Sequence, residues 1–522
     1  MAHTPLYGRI FPDELEAQRS ALAEDPDLAE FLASRQALAT DPYRPLFHFS
    51  PPQGMMNDPN GLCQWQGRFH MFYQFRPQWG KPDNENRVHW GHTVSDDLVR
   101  WTDLPPALYP TTEHHCYSGQ TLVEPDRVIA IYHGTESGNS IATATDPLLL
   151  NWAKHPDNPV IPMVPIDADG SPYRVFDPCI WKEDDGYYAI SGTYKDGELR
   201  ADCRAIDHLF RSSDLSTWEH VGTLIEGGFH SEPGEDGAVP NFWPIGDGRH
   251  MMLFFSHKRA GQYYIGTYDR ETHRLNPERF GRMNYGAFAT GSLHAPSATV
   301  DDQGRYIGVF NVKEGRAGTA WTDVMTLPRH YWLDSDASLR MAPVEEIESL
   351  RGDEVVVDSM EIPGNTEIPI DTVNGKALEI QAVIDPGEAR EVGIAVLRSP
   401  DGVEQTRISL LQAKTGQVGG TPRLQIDISQ ASLREDVYAR DPEIGPLPSD
   451  PDDLLRLRVF VDKSVVEVFV GDQQCLTLRT YPSREDSAGV ALFARGGPAR
   501  LQSLSAWSMK SIWPELRHLE GC

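Results

Sequence analysis

Four turns of one kind recur along the first two-thirds of the chain, and they restrict it to a repeated β architecture. They are Gln66-Gly67-Arg68-Phe69, Asp185-Gly186-Tyr187-Tyr188, Asp247-Gly248-Arg249-His250 and Gln303-Gly304-Arg305-Tyr306. Each precedes an apolar, aromatic-rich run, such as His70–Phe75, Tyr188–Tyr194, Met251–Ser256 or Tyr306–Val312. Glycine turns between such runs are the signature of β-hairpins. The glycines lie 119, 62 and 56 residues apart, one or two units of about 60. A second signal repeats as Ser95-Asp96-Asp97-Leu98-Val99-Arg100-Trp101 and Ser212-Ser213-Asp214-Leu215-Ser216-Thr217-Trp218, with a looser copy ending at Asn151-Trp152. Sheets repeated at a fixed interval predict a propeller, and about 300 residues at about 60 per unit predict five blades.

The flanks read differently. Residues 11–39 carry Leu15, Leu22, Leu28, Phe31 and Leu32 at roughly helical spacing after Pro12 and Asp13, which predicts a helix serving as a packing or oligomerisation arm. Residues 354–510 alternate apolar and polar in period two, with Asp462-Lys463-Ser464 as a hairpin turn, and predict a β-sandwich without chemistry of its own. The expected fold is therefore all-β. A helical extension (1–42) precedes a five-bladed β-propeller (43–340), and a linker (341–353) with a short helix near Glu346–Arg351 leads to a C-terminal β-sandwich (354–522).

Composition excludes several classes of partner. A formal net charge of -29 repels polyanions, so neither nucleic acid nor an anionic membrane is expected. No run approaches the roughly 18 apolar residues of a membrane span. The first twenty residues lack a basic segment followed by an apolar stretch, so a cytoplasmic protein is expected. Six scattered cysteines form no CxxC pair, and neither a zinc site nor a disulfide framework is expected. His89 and His92, three apart on a strand, point to opposite faces and make a poor metal pair.

The sharpest motif is Met56-Asn57-Asp58-Pro59-Asn60-Gly61, in which an aspartate is held in a turn just before a strand. With Phe72-Tyr73-Gln74, His89-Trp90-Gly91-His92 and Tyr117-Ser118-Gly119, it resembles glycoside hydrolase family 32, the family of invertases, inulinases, levanases and some fructosyltransferases. The resemblance runs from about residue 46 to 351, and the trailing sandwich fits the family's second domain. It implies a retaining hydrolase of terminal β-D-fructofuranosyl residues in sucrose, fructo-oligosaccharides or fructans. A fructotransferase, or a fructan-binding protein whose catalysis has decayed, is the alternative. It implies no cofactor and no metal.

Retention requires a nucleophilic carboxylate and an acid/base, typically about 5–5.5 Å apart. By motif, Asp58 is the nucleophile, expected to be kept ionised by backbone N–H groups of its turn. Asp177 in Val175-Phe176-Asp177-Pro178 resembles the family's Arg-Asp-Pro aspartate, the transition-state stabiliser. Phe176 stands where the family has Arg, and Arg174, on the same strand face, is the expected substitute. The family's Glu-Cys-Pro acid/base motif is rewritten between Ser231 and Pro244, with Pro240 to Pro244 matching its end. Glu235 is the preferred acid/base, with Asp236 and Glu232 as rivals and Phe242 or Trp243 as the apolar wall that raises its pKa. Asn57, Gln74 and Ser118 are expected to bond sugar hydroxyls, and Trp79 and Trp90 to offer an apolar face.

Overall fold

The glycine turns join the first strand of a sheet to its second. In the computed structural model, which describes residues 9–77, 87–164, 173–193, 204–228, 230–286, 289–412, 421–447 and 452–513, Gln66-Gly67 links Gly54–Trp65 to Arg68–Arg76 and Asp247-Gly248 links Ala238–Gly246 to Arg249–Ser256. Both residues of each pair have positive φ, as a tight hairpin requires (48° and 78°; 50° and 70°). The double interval of 119 has a simple cause. The intervening sheet, opening with Cys116–Val123 and Val128–Gly134, turns on Glu124–Arg127, which contains no glycine. The Ser-Asp-Asp-Leu signal joins the third strand of a sheet to its fourth, from His89–Ser95 to Thr102–Leu108 and from His208–Ser212 to Glu219–Thr223. Asp97 and Asp214 cap these turns by accepting the amides of residues two and three further on.

Five antiparallel sheets follow one another in this way. Their first strands are Gly54–Trp65, Cys116–Val123, Pro178–Glu183, Ala238–Gly246 and Leu293–Val300. These strands touch in chain order and the fifth touches the first, so the sheets close into a ring around an axis. Trp321–Thr322 pairs in parallel with Gly54–Met55 and straps the end of the ring to its beginning.

The sandwich consists of two sheets, one built around Ala499–Met509, Ala377–Asp385 and Leu455–Asp462, the other around Gly489–Arg495 and Glu391–Arg398, over a Val, Ile and Leu core. Its first strand, Arg351–Val357, starts directly after the 3-10 turn Glu345–Leu350, three residues earlier than the sequence reading placed it. The domains meet at a polar seam. Asp462, at the sandwich hairpin, accepts the amides of Leu46, Phe47 and His48 at 2.7–2.9 Å, and the His48 ring bridges Asp462 and Glu467.

The N-terminal extension is two helices, Leu15–Ala23 and Pro26–Leu38, where one was expected. Asp25 breaks and restarts it, capping the second helix by accepting from the amides of Asp27 and Leu28, with Pro26 in the first turn. The pair is a packing arm: Phe31 enters the main core, Arg35 pairs with Asp103, and its guanidinium lies 3.5 Å over Trp513.

Candidate active site

Distortions at the starts of the first strands build the site. Regular pairing would turn side chains alternately to the two faces of a sheet, away from the axis. The ladder between Gly54–Trp65 and its neighbour slips between Met56 and Pro59, which frees Asn57 and Asp58. Equivalent slips fall between Cys116 and Gly119, between Ala238 and Asn241, and between Leu293 and Pro296. Bulges re-aim side chains, and here they re-aim Asp58, Ser118 and His294. The glycines of the motifs make room: Gly61 has φ +51°, and a Cβ on it would stand 2.7 Å from the Thr121 side chain. The Met-Asn-Asp-Pro-Asn-Gly motif is thus a bulged strand start, where the sequence alone reads as a turn.

Asp58 is 7% exposed. Its Oδ2 accepts from Ser118 Oγ at 2.6 Å and from Gln74 Nε2 at 3.1 Å, while Oδ1 accepts no hydrogen bond from the described residues and lies 3.7 Å from His294 Nε2. Burial raises its pKa above the ordinary carboxylate value, opposed by the Lys313 charge, the Ser118 hydrogen bond and the His257 charge. The donors are therefore side chains and not the backbone amides expected from the sequence. One oxygen is anchored and the other, although buried, is left without a donor among the described residues, which suits a nucleophile.

Asp177 precedes the strand Pro178–Glu183 and is buried, with the Val239 amide at 3.3 Å from Oδ2. Burial, and then the charges of Asp58 and Asp236, raise its pKa well above the ordinary value. Asp58, Asp177 and Asp236 therefore form one electrostatic group. Arg174 is not brought to it: the guanidinium donates to the Tyr173 carbonyl at 3.0 Å and its charge bears on His208. Phe176, in the position of the family's Arg, packs its ring 5.4 Å from His133 and 6.4 Å from His257.

Glu235 sits elsewhere. Its carboxylate takes hydrogen bonds from Arg259 at 2.8 and 2.7 Å, Gln262 at 2.6 Å and the Glu232 amide at 2.7 Å. Burial alone would raise its pKa, but these donors hold it below the usual value, the opposite of what a general acid needs. Glu232 is half-exposed and pairs with Lys258 and Arg259. Asp236 is fully buried and takes both its carboxylate hydrogen bonds from His257, backbone amide at 3.1 Å and ring Nδ1 at 2.6 Å. The expected apolar wall differs as well: Phe242 packs edge-on in the core against Trp181, and Trp243 bonds the Ala298 carbonyl.

Ser118 and Gln74 donate to Asp58, and Asn57 donates to Gln74 at 3.1 Å while accepting from Lys313. Trp90 is fully buried between Phe72 and Tyr132, its indole N–H donating to the Tyr117 carbonyl, so it is core and not a sugar platform. Trp79 lies outside the described residues. A cavity of about 310 Å³ opens beside Asn57 and Gln74, lined also by Arg76, Lys313, Glu314 and Asp323. The sequence reading missed His257, His294 and Lys313. Their only signal is position, at strand starts or just past strand ends next to the hairpins already recognised.

The description "Glycosyl hydrolases family 32 N-terminal domain" matches residues 48–343, and "Glycosyl hydrolases family 32 C terminal" matches residues 346–508. An insoluble-isoenzyme β-fructofuranosidase of Arabidopsis thaliana is 29% identical over 91% of this chain and 93% of its own. A levanase of Bacillus subtilis is 28% identical over 90% of this chain and 71% of its own. Among solved structures, fructan 1-exohydrolase IIa of Cichorium intybus superposes with a TM-score of 0.79 at 25% identity, covering 90% of this chain and 98% of that one, and was also solved with 1-kestose.

Proposed function

The chain belongs to glycoside hydrolase family 32, and from that premise we propose that it releases terminal β-D-fructofuranosyl residues with net retention, Asp58 being the nucleophile and Asp177 the stabiliser of the oxocarbenium-like charge. The observation that carries the reading is the Asp58 carboxylate itself. It is buried at the ring axis, fixed through Oδ2 by Ser118 and Gln74, and without a hydrogen-bond donor on Oδ1 among the described residues. A carboxylate so held is preorganised to attack the anomeric C2 without first shedding a hydrogen-bond shell. Asp177, whose only protein hydrogen bond among the described residues is a long one, keeps lone pairs for the fructosyl hydroxyls. The cavity beside Asn57 and Gln74 is large enough for the leaving sugar. The names of the relatives, β-fructofuranosidase and levanase, support the same substrate class.

The test is a product profile. Purified protein is incubated with sucrose, inulin and levan in turn, and the products are resolved by chromatography. Free fructose is the expected product. Cyclic or longer fructosides would replace hydrolysis by transfer to a sugar hydroxyl, and unchanged sugars with measurable binding would leave only a lectin-like role.

A further inference from the structure

Counting back from Pro240, the Glu of the Glu-Cys-Pro pattern falls on Ala238, a buried methyl that can transfer no proton. Ala238 is paired across the ladder with Phe255, and His257 lies two residues further along that neighbouring chain segment. The imidazole thus stands beside the gap the missing carboxyl leaves. Its side chain is 35% exposed, in contrast to the fully enclosed Asp236. Asp236 has each of its oxygens engaged by His257.

From this geometry we infer that His257, oriented by Asp236, is the general acid and base of the reaction in place of the family's glutamate. The inference deepens the fructosidase reading and rests on it. The hydrogen bond from Nδ1 to Asp236 at 2.6 Å fixes the tautomer and leaves Nε2 as the nitrogen that exchanges a proton. Among the described residues, the groups facing the ring include Asp236, Asp58, Lys313 and His294, with Phe176 and Phe255 as apolar walls. Burial disfavours the charged ring and Lys313 opposes it, yet the Asp236 hydrogen bond and the charges of Asp236 and Asp58 carry its pKa above the ordinary histidine value. The charged form of the ring is therefore favoured over that of a free imidazole.

In the first step an Asp58 oxygen bonds to the anomeric C2 and the C2–O bond to the leaving sugar breaks. Its electron pair stays on that oxygen, which takes the proton from His257 Nε2. In the second step neutral Nε2 takes a proton from water as the water oxygen bonds to C2, and the C2–Asp58 bond returns its pair to the carboxylate. Asp236 is a positioning residue throughout, keeping its hydrogen bond from Nδ1.

The test compares His257→Gln, Asp236→Asn and Glu235→Gln in the purified full-length protein, with circular dichroism as the folding control. Substrates are sucrose and fructosyl fluoride, whose leaving group needs no acid. His257→Gln should lower kcat/KM on sucrose by roughly 10²–10⁴-fold, spare the fluoride burst, lose the basic limb of the pH profile, and regain turnover with azide. Asp236→Asn should keep that limb but move it to lower pH, because the ring loses the partner that favours its charge, and Glu235→Gln should leave the limb in place. A basic limb and sucrose rate unchanged in His257→Gln would overturn the inference, as would azide rescue confined to Asp236→Asn or Glu235→Gln. Those results would leave the fructosidase reading intact. A wild-type protein that releases fructose from neither substrate would bring down that reading, and this one with it.

Discussion

Two groups of buried acids, one at the ring axis and one at the seam between the domains, use the same residue type to opposite ends. At the seam, Asp462 accepts four hydrogen bonds from residues 46–48. Glu467 accepts from His48, Leu327, Arg329 and Thr477. At the axis, among the described residues, Asp58 has two donors on one oxygen and none on the other, and Asp177 has a single long one. The electrostatics follow the pairing: Glu467, despite burial, is held down to about 2 by Arg329 and His48, whereas burial raises Asp58 and Asp177. Complete pairing turns a buried carboxylate into a structural staple, and incomplete pairing leaves it with reactivity to spend on a substrate.

The contrast breaks most visibly at the axis. Asp58→Asn removes the nucleophile and should lower kcat by roughly 10⁴-fold or more, with Tm nearly unchanged, in steady-state assays and calorimetry run side by side. The seam should respond in reverse. Glu467→Ala strands Arg329 and His48 and should cost about 3–5 kcal/mol of stability, read as a fall in Tm, while kcat of the folded fraction stays within a few-fold.

Titration sharpens the same contrast. Glu467 is depressed in the folded state, so its contribution is present above its ordinary 4.5 and is lost as pH falls toward 2. His48 is opposed by burial but raised overall by Asp462 and Glu467, so its contribution is present below 6.5 and lost as pH rises through its raised value. Tm of the wild type should decline on both sides of that window, and Glu467→Gln should flatten the acid side. Activity should follow Asp58 instead: kcat/KM should fall on the acid side through a pKa above 3.8, because the nucleophile must be ionised.

Smaller effects are expected from two residues the sequence pointed toward. Glu235→Gln weakens the Arg259 and Gln262 contacts and should lower Tm, with less than about a tenfold loss on sucrose, since Glu235 is paired as the seam acids are. Arg174→Ala should change kcat/KM least of all, because Arg174 bonds its own chain at Tyr173 and not Asp177.

Local signals were legible from the sequence and long-range ones were not. The glycine hairpins, the Ser-Asp-Asp-Leu turns and the Asp58, Gln74 and Ser118 constellation lie in short motifs that impose their own geometry. The seam escaped notice because Asp462 meets Phe47 across 415 residues of chain, and no pattern along one strand announces such a partner. Trp90 lay in a recognised motif, yet which face of the sheet it takes is set by packing against Phe72 and Tyr132. The surroundings of the rewritten segment were not legible either, because His257 reaches the Asp236 carboxylate from 21 residues further along the chain.

The central claim, that Asp58 carries the fructosyl group, is tested most directly by acid-quenching the protein during turnover of fructosyl fluoride and mapping its peptides by mass spectrometry. One fructosyl unit is expected on the peptide containing Asp58, absent in Asp58→Asn. An adduct on another acid, or turnover with no adduct at any quench time, would contradict it.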